Sequence, residues 1–97
     1  MAKLYVTEYA GLGWAHSQVA QVPPIVEQTP VVIGGGSLQS AAFDMATTVV
    51  RIHTDAVCSI AFGTNPTATA NNQRMSADST EYFSVKGGLK VAVITNT

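Results

Sequence analysis

Three residues with chemically reactive side chains stand close together in the sequence: His53, Asp55 and Cys58. A thiol, an imidazole and a carboxylate are the groups of a nucleophilic triad, in which the base activates the thiol and the carboxylate orients the base. Alternation along a strand, however, places Cys58 on the same side as Ile60 and Phe62. A free cysteine among apolar side chains behaves as a small hydrophobe, so we predict a core role for Cys58 and no catalytic residue.

The other chemical groups form no recognisable ligand set. The two histidines, His16 and His53, together with Cys58 lack the fourth ligand and the short paired spacings of a zinc site. The glycine run at residues 34–36 is followed by Ser37 without a lysine, which excludes a phosphate-binding loop. Four carboxylates stand beside turn signals, where such groups usually cap the backbone; they are Asp44, Asp55, Asp78 and Glu81. The sequence therefore predicts no cofactor, no metal site and no enzymatic activity.

The composition points to a protein that binds other proteins. The 97 residues suffice for one domain, and 46% of them are hydrophobic while only 11% are charged, against about 25% in ordinary soluble domains. This balance excludes an intrinsically disordered chain, and a net charge of -1 provides no basic field for nucleic acid. The lone cysteine, the absence of a signal-peptide core and the absence of a long apolar run predict a cytoplasmic protein without a membrane partner.

Short runs of strand-forming residues, separated by Gly, Pro, Asn and Asp, predict an all-β fold. We expect seven to nine strands in a small antiparallel β-sandwich or a jelly-roll-like barrel, since no segment is long enough for a parallel crossover. A helical turn is credible only at residues 41–46. The clearest strand predictions are residues 4–9, 25–33 with a kink at Pro30, 38–43, 47–54, 57–63, 81–85 and 89–95.

The first 36 residues differ from the rest of the chain. They contain three prolines, Trp14 and two of the three tyrosines, with few charges. Residues 1–36 are therefore predicted to be either an extended arm that lies on a neighbouring molecule or the outer strands of the sandwich. Residues 37–97 are predicted to form the sandwich core.

Candidate interface residues follow from the aromatic content and from the last strand. Ala92 and Ile94 are apolar although they point away from the side of Val91 and Val93. One interpretation is that Ala92 is small enough for either environment and that Ile94 lies at the end of the barrel. The other interpretation is that another subunit covers that face. Because aromatic residues dominate protein interfaces, the predicted interface set is Tyr5, Tyr9, Trp14 and Ile94.

The region from residue 47 to residue 94 resembles small virion proteins of tailed bacteriophages. The resemblance lies in a pattern of strands and turns at residues 50–55 (VRIHTD), 60–69 (IAFGTNPTAT), 81–83 (EYF) and 90–94 (KVAVI). It implies a β-sandwich protein that decorates or cements phage heads, located in the virion after assembly in the host cytoplasm. The implied partners are the major capsid protein, other virion proteins and further copies of the chain.

An alternative is a tail, neck or fibre module. Such a module would bind another virion protein or a host glycan, the latter through the amides of residues 71–73. The two alternatives differ in their partner and not in their fold.

Overall fold

The computed structural model describes residues 2–10 and 23–97. These residues form an all-β fold, as predicted, and contain no helix that could cross a membrane. The nine strands are β1 (Lys3–Tyr9), β2 (Val26–Glu27), β3 (Val31–Val32), β4 (Leu38–Gln39), β5 (Val49–Thr54), β6 (Cys58–Gly63), β7 (Gln73–Met75), β8 (Thr80–Ser84) and β9 (Lys90–Thr95).

The strands make two antiparallel sheets. The first sheet has the order β2-β1-β5-β8, and the second has the order β4-β9-β6-β7. Strands β2 and β3 pair with opposite ends of β1, so they are two parts of one edge strand that is interrupted around Pro30. After this edge strand the chain passes repeatedly between the two sheets. The result is the strand order of a jelly roll. The position between the edge strand and β5, which the last strand of the chain occupies in the usual jelly-roll connectivity, is occupied here by β1.

The core lies between the sheets and follows the alternation of the strands. In β5, Val50 and Ile52 are fully buried, whereas Arg51 and His53, which alternate with them, are only half-buried. Cys58 and Ile60 lie in the core with Phe62 packed against it, as the sequence predicted. The buried cluster draws on both sheets and comprises Leu4, Val6, Val31, Ile33, Phe43, Val50, Ile52, Cys58, Ile60, Met75, Val91 and Val93.

The loop between β6 and β7, residues 64–72, crosses the outer face of the second sheet. The side-chain amide of Gln39 on β4 donates to the carbonyl oxygen of Pro66 at 2.8 Å. Farther along, the backbone N–H of Ala68 donates to Ser37 Oγ at 2.8 Å. Both bonds attach the loop at the β4 edge of the second sheet, and the loop ends at β7, which is the opposite edge. The loop therefore spans the width of the sheet.

This loop explains the apolar outer side of β9. The amide of Asn96 donates to Ser59 Oγ at 2.6 Å and to the carbonyl oxygen of Ala70 at 3.3 Å, which ties the end of the loop to the sheet. Ala92 and Ser59 are completely buried, and Ile94 is half-buried. The chain therefore covers Ala92 itself, and its burial needs no second subunit.

A buried carboxylate fastens the first sheet to the loop before β5. Glu8 is only 1% exposed, and its side chain accepts three hydrogen bonds. The donors are Gln28 Nε2 at 2.8 Å, the backbone N–H of Asp44 at 2.7 Å and Thr47 Oγ1 at 2.8 Å. Gln28 in turn accepts from the backbone N–H of Ala41 at 3.0 Å. One carboxylate thus joins the edge strand, β1 and the 41–47 loop.

The 41–47 loop packs closely against the β8–β9 turn. Gly88, which has a φ of 89°, donates its backbone N–H to the carbonyl oxygen of Phe43 at 2.9 Å. A Cβ atom placed on Gly87 would lie 2.5 Å from Met45 Cα and 2.8 Å from the backbone oxygen of Asp44. Only glycine fits at position 87 without moving the backbone.

Each predicted strand is present with bounds that differ by one to four residues, and the strand predicted at 25–33 is divided into β2 and β3. The structure departs from the predictions at two further places. Residues 41–46 contain a hydrogen-bonded turn and no helix. Strand β7 was not predicted, because Gln73 and Arg74 are exposed and only Met75 is buried. An edge strand with one buried residue has no detectable alternation.

The N-terminal residues that the structure describes belong to the sandwich. β1 lies between the interrupted edge strand and β5, with pairs running from Leu4 opposite Thr54 to Tyr9 opposite Val49. Residues 11–22 lie outside the described part of the chain. The division at residue 36 stays a prediction.

We predict that Glu8→Ala lowers the free energy of unfolding by about 3 kcal/mol, because it leaves buried donors without their charged acceptor. Urea denaturation followed by circular dichroism measures this change. Glu27→Gln, at an exposed position on β2, is the control and should change stability by less than about 0.5 kcal/mol. Equal effects of the two substitutions would contradict a structural role for the Glu8 carboxylate.

We predict that Gly87→Ala lowers the free energy of unfolding by roughly 1–3 kcal/mol, because the added methyl group overlaps backbone atoms. Gly35→Ala is the matched control, since a Cβ there meets no atom within 4 Å. Thermal unfolding of both variants checks the prediction, and an unchanged midpoint for Gly87→Ala would contradict the close packing of the two turns.

Candidate interaction surface

All three tyrosines of the chain lie on the outer face of the first sheet. Tyr5 and Tyr9 alternate with the core residues of β1, and the register places Tyr5 opposite His53 and Arg51 opposite Tyr82. We call this group, Tyr5, Tyr9, Arg51, His53 and Tyr82, the tyrosine face. It spans the three strands β1, β5 and β8.

The tyrosine face is partly open to solvent. Tyr82 is 50% exposed and Tyr5 is 38% exposed, which makes them the exposed aromatic residues of the described chain. The ring of Tyr82 lies 6.5 Å from that of Tyr9, and the ring of Tyr5 lies 6.0 Å from that of His53. Such centroid distances are typical of aromatic rings that interact favourably with each other. These ring–ring contacts restrict the positions of the exposed side chains.

A shallow groove of about 480 Å³ runs along this face. Its lining includes Tyr5, Arg51 and His53 from the tyrosine face, with Glu27 at the edge strand and Asp55 at the end of β5. Of these residue types, tyrosine and arginine are enriched at protein-binding sites. The groove can therefore offer apolar contact together with charged hydrogen bonds.

The four interface residues predicted from the sequence fall in different places. Tyr5 and Tyr9 lie on the tyrosine face, although Tyr9 is only 8% exposed. Ile94 belongs to the second sheet, away from them, and Trp14 lies outside the described residues. Sequence reasoning missed Tyr82, because its place beside Arg51 depends on the pairing of β5 with β8. The alternation within β8 was the only local signal.

Of the three groups considered for catalysis, Cys58 is kept apart from His53 and Asp55. Cys58 is fully buried in the core and its thiol donates to Thr54 Oγ1 at 3.4 Å, while His53 lies on the outer face of the first sheet and bonds Thr80 Oγ1 through Nδ1 at 2.8 Å. Burial raises the pKa of the Cys58 thiol, and the hydrogen bond between Cys58 and Thr54 opposes this only in part. A neutral, enclosed thiol on the other side of the sheet is not activated by that imidazole.

Three potential metal ligands meet at one end of the tyrosine face. The ligand atoms of His53, Asp55 and Asp78 all lie within 4.8 Å of one another. This cluster was not predicted, because the turn that carries Asp78 is distant from β5 in the chain and reaches it only through the pairing of β8 with β5.

The amides considered for glycan binding are partly engaged within their own loop. Asn72 Oδ1 accepts from the backbone N–H of Thr69 at 2.6 Å and from Thr69 Oγ1 at 3.2 Å. Gln73 Nε2 donates to Glu81 at 3.4 Å. These bonds shape the turn that leads into β7.

No family model matches this chain, and no curated protein and no solved structure matches it either. The function is therefore inferred from the surface and the fold.

We predict that native Cys58 resists alkylation by iodoacetamide and reacts only on unfolding. Its raised pKa also has a consequence for stability: the folded state holds the thiol proton to higher pH than the unfolded state does. Stability contributed by the neutral thiol is complete below the unfolded pKa of about 8.5 and is lost as the pH rises from there through the folded value. Mass spectrometry after timed alkylation measures the protection, and rapid labelling of the folded protein would contradict it.

Proposed function

We propose that this protein is a non-enzymatic structural protein of a tailed-bacteriophage virion, and that it binds the assembled head as a decoration or cement protein through its tyrosine face. The observation that carries the proposal is the grouping of all three tyrosines with Arg51 on one open sheet face. Tyrosine and arginine are the residue types that most often dominate binding energy at protein interfaces.

The contrast between the two sheets supports the choice of this face. The second sheet is covered by the chain's own 64–72 loop, and its central residue Ala92 is fully buried. On the first sheet, Tyr82 and Tyr5 keep half and more than a third of their surface in solvent. A face with exposed, positioned aromatic rings gains most when a protein partner removes them from water.

The composition and the fold are consistent with such a role. A surface with few charges suits contacts that are mainly apolar, and many copies on one particle give avidity even when each contact is weak. Jelly-roll sandwiches are frequent among viral capsid proteins, although the fold alone does not define a function. The partner proposed is the major capsid protein, and neighbouring copies of this chain on the shell are a second contact.

The proposal is tested by sedimenting the purified protein with undecorated heads of the phage that encodes it. We expect saturable binding with a fixed number of copies per head and a higher temperature of head disruption. Tyr82→Ala and Arg51→Ala should each weaken binding at least tenfold, since interface anchors of these types typically contribute about 2 kcal/mol or more.

The matched control is Leu38→Ala. Leu38 is 49% exposed but lies on β4 of the second sheet, so its removal should leave binding unchanged. Absence of binding to heads would overturn the proposed role. Binding that Leu38→Ala weakens and Tyr82→Ala does not would overturn the assignment of the face.

A further inference from the structure

We propose that His53, Asp55 and Asp78 form a binding site for a divalent transition-metal ion of the zinc class. Imidazole nitrogen and carboxylate oxygen are both zinc ligands, and three protein ligands with one water complete a four-coordinate site. The inference is independent of the proposed role in the virion, because it concerns what these three side chains bind and not what the tyrosine face contacts.

The distances between the three ligand atoms allow all of them to bind one ion. The three ligand atoms lie within 4.8 Å of one another, whereas ligand atoms that are each about 2.0–2.2 Å from a tetrahedral zinc ion lie about 3.3–3.6 Å apart. Side-chain movements of less than about 1 Å therefore bring all three onto one ion. His53 is half-buried, whereas Asp55 and Asp78 are exposed, so an ion has access from solvent and room for a bound water.

Each ligand is held in place by bonds outside the cluster. His53 Nδ1 is hydrogen-bonded to Thr80 Oγ1 at 2.8 Å, which fixes the ring and leaves Nε2 as the nitrogen for a metal. This is the usual arrangement of a metal-binding histidine, whose second nitrogen bonds a fixed neighbour. Asp55 Oδ2 accepts the backbone N–H of Lys3 at 3.2 Å, and a carboxylate keeps further lone pairs for a metal.

The turn that carries Asp78 is also fixed. Ser79 Oγ donates to the carbonyl oxygen of Ser76 at 2.6 Å, and the backbone N–H of Thr54 donates to the carbonyl oxygen of Ser79 at 3.1 Å. The β7–β8 turn is thereby docked beside the end of β5, where His53 and Asp55 lie. Two carboxylates held this close repel each other, and a cation between them removes that repulsion.

The donor set selects the kind of metal. Calcium and magnesium prefer sites made entirely of oxygen ligands, and calcium takes six to eight of them. A site with an imidazole and two carboxylates favours zinc and its neighbours in the transition series. The ion would join the end of β5 to the β7–β8 turn and stabilise the folded state by binding it selectively.

The test is titration of the chelator-treated full chain with zinc chloride, followed by calorimetry and by NMR of the histidine ring nitrogens. We expect about one equivalent to bind, a shift of the His53 Nε2 resonance and a higher midpoint of thermal unfolding. An excess of calcium chloride should not displace the zinc.

Two variants separate this site from other zinc ligands in the chain. Asp78→Asn should weaken zinc binding at least tenfold, since loss of even an outer-shell partner of a metal ligand costs about 10–100-fold. Asparagine tolerates the φ of 57° at this position and removes the repulsion between the two carboxylates, so the metal-free variant should unfold at or slightly above the wild-type midpoint. Glu81→Gln removes the same charge from the neighbouring strand and should bind zinc as the wild type does.

Three results would overturn the proposal. They are the absence of saturable zinc binding up to about 1 mM, wild-type affinity in Asp78→Asn, and loss of binding on replacement of the chain's other histidine by His16→Gln. Because no virion component is present in these measurements, their failure leaves the sedimentation test of the proposed function unaffected.

Discussion

The buried carboxylate of Glu8 is the interaction on which the arrangement of the first sheet depends. A carboxylate removed from water is costly unless hydrogen-bond donors replace its hydration, and here three donors from Gln28, Asp44 and Thr47 do so. These donors belong to segments that are far apart in the chain. Their convergence fixes the edge strand and the 41–47 loop relative to β1, and that loop then supports the β8–β9 turn at Gly87. The placement of β8, and of Tyr82 on it, therefore rests partly on a group at the other end of the sequence.

The outer face of the second sheet is covered by the chain itself, whereas the outer face of the first sheet is partly exposed to solvent. On the second sheet, the apolar residues of β9 are covered by the 64–72 loop, which is tied down by Gln39, Ser37 and Asn96. On the first sheet, the tyrosine face keeps Tyr5 and Tyr82 in partial contact with water. The low charge of the chain is thus explained in two ways. Part of the surface that would ordinarily carry charges is hidden within the molecule, and part of it is aromatic.

The fold class could be predicted because alternation is a local property. Val50 and Ile52 on one side of β5, and Cys58 and Ile60 on one side of β6, are visible in the sequence and are buried in the structure. The alternation of β1 also put Glu8 on the core side, but nothing near it in the chain indicates its donors. β7 was missed because a three-residue edge strand has too few buried positions to show a period.

What the sequence by itself determined is the type of structure: an all-β chain, its main strands, a core cysteine and a surface with few charges. These features depend on residue type and on a period of two, which act within a few residues. The tertiary structure decided which segments meet. Strand register brought Tyr82 beside Arg51, and the pairing of β8 with β5 brought Asp78 to His53 and Asp55. Non-local pairing follows from the packing of the whole chain, so no local pattern could show which residues would share a face or a ligand cluster.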